Sequence, residues 1–113
     1  MAKKTTIGLT EKVTIIGPKK QKRLVARIDT GATIGSIDSS IVKELKLGPV
    51  IKTKLVKSAS GLTKRPVIKT SIKIAKRQIK ARFTVADRSH MKYKALIGQN
   101  ILKKNFLIDC SKR

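Results

Sequence analysis

Alternation is the constraint this chain cannot escape. In Ile68-Lys69-Thr70-Ser71-Ile72-Lys73-Ile74 the lysines take outward positions of an alternating strand. From Gln78 to Val85 the residues Ile79, Ala81, Phe83 and Val85 alternate with Lys80, Arg82 and Thr84. A period of two is the signature of a half-buried strand. The pattern predicts strands over Pro66–Ile74 and Gln78–Val85, joined as a hairpin around Lys76-Arg77. Aromatic residues are only 3% of the chain, so the core is built from Ile, Leu, Val and Ala, many of them β-branched and suited to strands. With 113 residues there is room for one such core.

Other segments extend the pattern. Lys12 to Gly17 and Arg23 to Ile28 read as a hairpin around the charged turn Gly17-Pro18-Lys19-Lys20-Gln21-Lys22. Ser39 or Ser40 is expected to cap a short helix over Ile41–Leu45, ended by Gly48-Pro49. Val50 to Val56 is a strand leading to a hairpin tip of small residues, Ser58 to Leu62. Ala95-Leu96-Ile97-Gly98 is a buried strand ending in glycine, Gln99 to Lys103 one or two helical turns, and Phe106 to Asp109 a last strand. Residues 1–10 are expected to be loosely ordered, and 11–113 to form a single domain. The fold class is all-β, a small barrel or sandwich with one or two short helices.

The formal charge is +22, from 28 Lys and Arg against six acids. Such an imbalance speaks of partners and solubility rather than fold. It favours RNA, ribosomes or an acidic polypeptide as partner, beside the plain reading of a solvated basic surface. One cysteine, Cys110, excludes an internal disulfide and a cysteine zinc cluster. No apolar run follows Met1-Ala2-Lys3-Lys4 that would make a signal peptide, and none approaches a membrane span, so a cytoplasmic location is expected.

Against that scarcity of acid, one string stands out: Leu24-Val25-Ala26-Arg27-Ile28-Asp29-Thr30-Gly31-Ala32. By itself Asp-Thr-Gly is also a plain β-turn. A second element, Leu96-Ile97-Gly98-Gln99-Asn100-Ile101-Leu102, changes its weight. Together the two resemble the retropepsin-type aspartic proteases, in which a strand of two apolar residues and a glycine packs under the catalytic loop and a short helix follows. Phe83 to Tyr93 is similar to the Asn-Arg-x-x-Met stretch of a retropepsin-like branch labelled "ATP-dependent zinc protease", whose members often occur near glutamate ligases. The sequence departs from that branch at three places. Asp38 stands near the position of a common histidine, Asp87 replaces Asn, and Gln99 replaces Arg. His90 is the only histidine, which excludes a histidine-rich zinc site within one subunit. No Gly-Lys-Ser/Thr phosphate loop is present. No cofactor and no metal are expected.

The resemblance implies a closed barrel of the acid-protease type and an aspartic endopeptidase with catalytic Asp29, Thr30 and Gly31. It also implies a homodimer joined through the catalytic loop and the terminal strands, because one Asp-Thr-Gly per chain is half a carboxylate pair. Thr30 would lock the two loops together, and Gly31 would admit water and backbone to the carboxylate. Ser58 to Leu62 would be a flap. Ala32, Arg27, Ser60, Gly61, Arg88 and His90 are the expected substrate contacts. The basic charge then suits a peptide substrate that is acidic or glutamate-tailed. Two rivals stand beside this reading: a basic RNA- or ribosome-binding β-barrel, and a catalytically silent retropepsin-like interaction module.

Overall fold

The alternating segments become the longest strands of the fold. The computed structural model describes residues 3–59 and 61–113. In chain order the elements are β1 (Thr5–Ile7), β2 (Thr10–Ile16), β3 (Gln21–Ile28), β4 (Gly35–Asp38), α1 (Ser39–Leu45), β5 (Val50–Ser58), β6 (Gly61–Ile74), β7 (Arg77–Ala86), β8 (Ala95–Ile97), α2 (Gln99–Leu102) and β9 (Phe106–Ile108).

Six strands, β2-β3-β8-β4-β7-β6, close on themselves because β6 pairs again with β2. The 14-residue β6 makes this possible. Its C-terminal half lies between β7 and β2, while its N-terminal half pairs with β5 and leaves the barrel as a hairpin arm. Closure removes the free edges that an open sheet of this composition would expose. Inward positions supply the core: Val13 and Ile15, Ala26 and Ile28, Ile68, Ile72 and Ile74, then Ile79, Ala81 and Phe83. Ile41 and Leu45 of α1 and Ile101 and Leu102 of α2 pack against it. Lys69, Lys73, Lys80 and Arg82 stay exposed, which is the alternation seen in the sequence. The fold class is therefore the expected all-β barrel with two short helices.

Three expectations are corrected, and one strand is added. Within residues 1–10, Thr5–Ile7 is a strand in parallel register with Phe106–Ile108, and β2 already begins at Thr10. The tie between β1 and β9 joins distant parts of the chain, which no local pattern reveals, and it forms a separate two-stranded sheet. β4 was not foreseen. Its Gly, Ser and Asp read as turn residues, yet all four positions are buried between β7 and β8. The cap of α1 is Asp38 rather than Ser39 or Ser40, with its carboxylate accepting the Ser40 N–H at 3.2 Å. The β6–β7 turn is centred on Ala75-Lys76, one residue earlier than expected.

Both turn residues have positive φ, 50° and 67°, as a two-residue hairpin turn requires, although neither is glycine or asparagine. Replacing Ala75-Lys76 by Asn-Gly is expected to stabilise the protein by about 1 kcal/mol, read as a rise in the urea midpoint at unchanged slope.

Candidate active site

Asp29 follows directly on β3, and its position is set by backbone rather than by side-chain packing. Its N–H donates to the Ile97 carbonyl at 2.9 Å, which extends the β3–β8 pairing by one residue. Its Oδ1 accepts the Gly31 N–H at 2.8 Å, the hydrogen bond of an Asx turn. A Cβ at residue 31 would stand 3.2 Å from that same oxygen, so glycine keeps the carboxylate uncrowded. Thr30 and Gly31 are exposed, while Asp29 is half-buried.

Gly98 and the start of α2 hold the rest of the loop from beneath. The N–H groups of Gln99 and Asn100 donate to the carbonyls of Ala32 and Thr33 at 2.8 and 3.1 Å. The Gln99 amide Nε2 donates to the Thr30 carbonyl at 2.6 Å. The residue that replaces the arginine of the resembled branch thus ties down the Asp-Thr-Gly turn. A Cβ on Gly98 would lie 2.7 Å from the Ile34 carbonyl carbon, 2.8 Å from the Ala32 oxygen and 2.9 Å from the Gly35 nitrogen. All three are backbone atoms, which cannot swing aside.

A cleft of about 380 Å³ opens beside this loop. Gly31 and Ala32 form one wall. Lys54 to Lys57 of β5 and Arg65 of β6, the arms of the hairpin, form the other. Its floor is a row of residues in register across three strands, Thr84 of β7, Ser36 of β4 and Leu96 of β8. Arg88 completes it. Asp29 itself is set back from the lining, two residues from Gly31.

Arg88 is held by neighbours on both sides. Its N–H donates to Asp38 Oδ1 at 2.6 Å and its Nε to the Tyr93 carbonyl at 3.0 Å. The Lys94 ammonium donates to the carbonyls of Arg88 and Met91 at 3.0 Å and also to that of Ser89, which closes the loop around it. Burial lowers the pKa of Arg88, and the positive charges of Arg65 and Arg27 lower it further, against the opposing carboxylates of Asp38 and Asp29. Asp38 is a buried acid. Burial raises its pKa, but the Ser40 hydroxyl and the N–H groups of Arg88 and Ser40 outweigh this and leave it below the ordinary value. Asp87 does not pair with Arg88. It accepts the N–H and hydroxyl of Ser89 at 3.0 and 2.6 Å, which hold it ionised below the usual range.

The structure therefore brings Gly31, Ala32 and Arg88 together around one cleft, with Asp29 and Thr30 at its edge. Arg27 and His90 are exposed and, among the described residues, do not line it. Gly61 stands at the end of the hairpin opposite Ser58. Ser60 lies outside the described residues. Lys54, Lys57, Arg65, Ser36 and Thr84 were not singled out from the sequence. No local pattern marks them; the fold of the β5–β6 hairpin brings the first three to the cleft wall. Among the described residues no group of His, Cys, Asp and Glu is gathered to hold a metal ion, and no helix is long and apolar enough to cross a membrane.

Comparison with known proteins gives the following. The family model described as "RimB-like: Retropepsin-like aspartic endopeptidase RimB" matches residues 41–113, beginning after the Asp-Thr-Gly turn. No curated protein matches. Among solved structures, EIAV protease complexed with the inhibitor HBY-793 is 25% identical at a TM-score of 0.67, covering 83% of this chain and 84% of that one. The protein Lpg0085 of unknown function (DUF785), from Legionella pneumophila subsp. pneumophila str. Philadelphia 1, is 19% identical at a TM-score of 0.66, covering 95% and 94%. The simian foamy virus (mac) protease is 21% identical at 0.62, covering 83% and 91%. The last two likenesses are of fold.

Two outcomes follow from this geometry. Gly98→Ala forces the loop off α2, and thermal unfolding is expected to show a loss of about 2 kcal/mol or more, from overpacking against rigid backbone. Asp38 has its folded pKa below its unfolded one, so its contribution is full above about pH 4 and is lost as pH falls through the folded value. Urea midpoints measured from pH 6 down to 2 should fall more steeply for wild type than for Asp38→Asn.

Proposed function

We propose that this chain, which belongs to the RimB-like family of retropepsin-like aspartic endopeptidases, cuts peptide bonds with a water held between two Asp29 carboxylates, one from each subunit of a homodimer. The observation that carries this is the seating of Asp29. Backbone bonds from Asp29 to Ile97 and from Gly31 to Asp29 fix a half-buried carboxylate at the edge of a peptide-sized cleft.

The chemistry requires the second copy. One carboxylate, ionised, takes a proton from water as the water attacks the scissile carbonyl carbon. The other, protonated, gives its proton to the carbonyl oxygen. The tetrahedral intermediate then collapses, the C–N bond breaks, and the amine leaves with a proton returned from the pair. Two carboxylates this close titrate as one coupled system, so activity should follow a bell-shaped pH profile. No covalent intermediate forms.

Exposed groups favour the dimer. Thr30 is exposed on the loop that would meet its copy, and Leu107 of β9 is 51% exposed. One edge of β9 is taken by β1 of the same chain, so the terminal strands would contribute to the dimer through an already formed two-stranded unit. The hairpin of β5 and β6 is the flap in this reading, and Thr30, Gly31, Ala32 and Arg88 surround the bound peptide.

Lys54, Lys57, Arg65 and Arg88 give the cleft a positive lining, which favours an acidic or glutamate-tailed polypeptide in the cytoplasm as substrate. The RNA-binding alternative draws support from net charge but lacks stacking platforms. Phe83 and Phe106 are buried and Tyr93 is half-buried. A catalytically silent module is separated from the enzyme by one variant. Asp29→Asn should lower peptidase activity by about 10³-fold or more while the dimer persists in sedimentation. Cleavage of a polyglutamate-tailed peptide should exceed that of a neutral one and fall with added salt. Equal rates at every ionic strength would remove the acidic substrate, and unchanged activity in Asp29→Asn would remove the mechanism.

A further inference from the structure

The outer wall of the barrel carries two grooves, and neither shares a lining residue with the cleft beside Asp29. The larger, of about 540 Å³, lies on β2 and β3 beside the β6–β7 turn. Thr14 lines it, in register with Arg23 of β3 on one side and Lys73 of β6 on the other. Lys12 and Lys76 line it too. The second groove, of about 290 Å³, is lined by Lys46, Lys69 and Lys80. Strand register joins the two. Ser71 of the second groove is two residues from Lys73 of the first along β6, on the same side of the sheet, and is paired with Lys80 of β7.

All of these cations are exposed. Among the described lining residues the one acid is Glu11, and its carboxylate accepts the Gly8 N–H at 2.8 Å. The ion pair formed among the described residues, Lys22 with Glu44, includes none of the cations that line the grooves. A surface that serves solubility alone mixes both signs. Here Lys69 stands directly opposite Arg82 of β7, a like-charged cross-strand pair that destabilises the sheet holding it. An anion lying over both side chains relieves that repulsion.

We propose that this outer face, formed across β3, β2, β6 and β7, binds double-helical nucleic acid by its phosphates without reading its sequence. The four strands are hydrogen-bonded neighbours in that order. They span about 14 Å, and outward residues recur about every 7 Å along each. The cations therefore form a lattice fixed by the barrel. A duplex carries its phosphates on a similarly fixed surface, so little freedom is lost when the two meet. A flexible acidic peptide would have to be ordered on the same face. Most of the cations are lysines, point charges that hold phosphate and select no base. Phe83 and Phe106 are buried and Tyr93 is half-buried, which denies a single strand the stacking it needs but costs a duplex nothing. The face does not involve Asp29, so it stands or falls separately from the peptidase reading.

Fluorescence anisotropy of the full-length protein with a labelled RNA duplex of about 16 base pairs, read across a salt series, tests the face. Lys69→Gln, Lys73→Gln and Lys80→Gln combined should weaken binding about tenfold or more and lower the salt slope by about three. Lys12→Gln with Arg23→Gln, in the larger groove, should lower the slope by about two. Lys52→Gln, Lys64→Gln and Lys92→Gln combined remove three charges from exposed positions outside both grooves. That control should change affinity by about twofold or less. A duplex of scrambled sequence should bind equally well, and polyglutamate of matching charge should compete about tenfold less well or worse. Equal losses in the face and control variants would reduce the binding to net charge and overturn the proposal. Equal competition by polyglutamate would overturn it too, by making the face a surface for acidic protein.

Discussion

The contact on which the site depends is the one at Gly98, where the end of β8 passes under the Asp29 loop with no room for a side chain. Backbone atoms of Ala32, Ile34 and Gly35 crowd the place a Cβ would occupy. Because the approach is that close, the first N–H groups of α2 reach the carbonyls of Ala32 and Thr33. A helix of four residues has little stability of its own. Here its unsatisfied N–H groups serve as fasteners for a loop that would otherwise carry orphan carbonyls. The loop and the helix complete one another, and the barrel strands β3 and β8 hold both in register.

A second knot is built from acid and base. Asp38 ends β4, caps α1 and receives the Arg88 N–H, so one buried carboxylate joins three parts of the chain. Lys94 closes the other side of the same loop by gripping carbonyls. In a chain with six acids, spending one on this junction leaves Arg65 and Arg88 of the cleft with no carboxylate in ion-pair contact among the described residues. The scarcity of acid and the positive cleft are thus two aspects of one composition.

The strands with clean alternation, and the Asp29 and Gly98 segments, were legible in the sequence because their signals are local. β4 was not, since burial on every side is a tertiary fact that overrides the turn character of Gly35, Ser36 and Asp38. β1 was hidden for a different reason: its partner is at the far end of the chain. Of the candidate site, the acid and its glycine were marked by the resemblance that the Asp29 and Gly98 segments carry. Arg65 and Ser36 could not be read, because one depends on the direction in which a hairpin leaves the barrel and the other on the placing of β4 between β7 and β8.

The length of β6 has a mechanical consequence. From Val67 onward the strand is clamped, first by β7 and then also by β2, whereas from Gly61 to Pro66 the strand pairing seen among the described residues is with β5. The hairpin is a cantilever whose root is built into the wall of the barrel. Pro66, with no N–H to give, marks the place where clamping begins. For such a beam, small rotations at the root become large displacements at the free end. Residues around Pro66 are therefore where substitutions would tune the opening of the cleft between this hairpin and the Gly31-Ala32 loop without touching its lining.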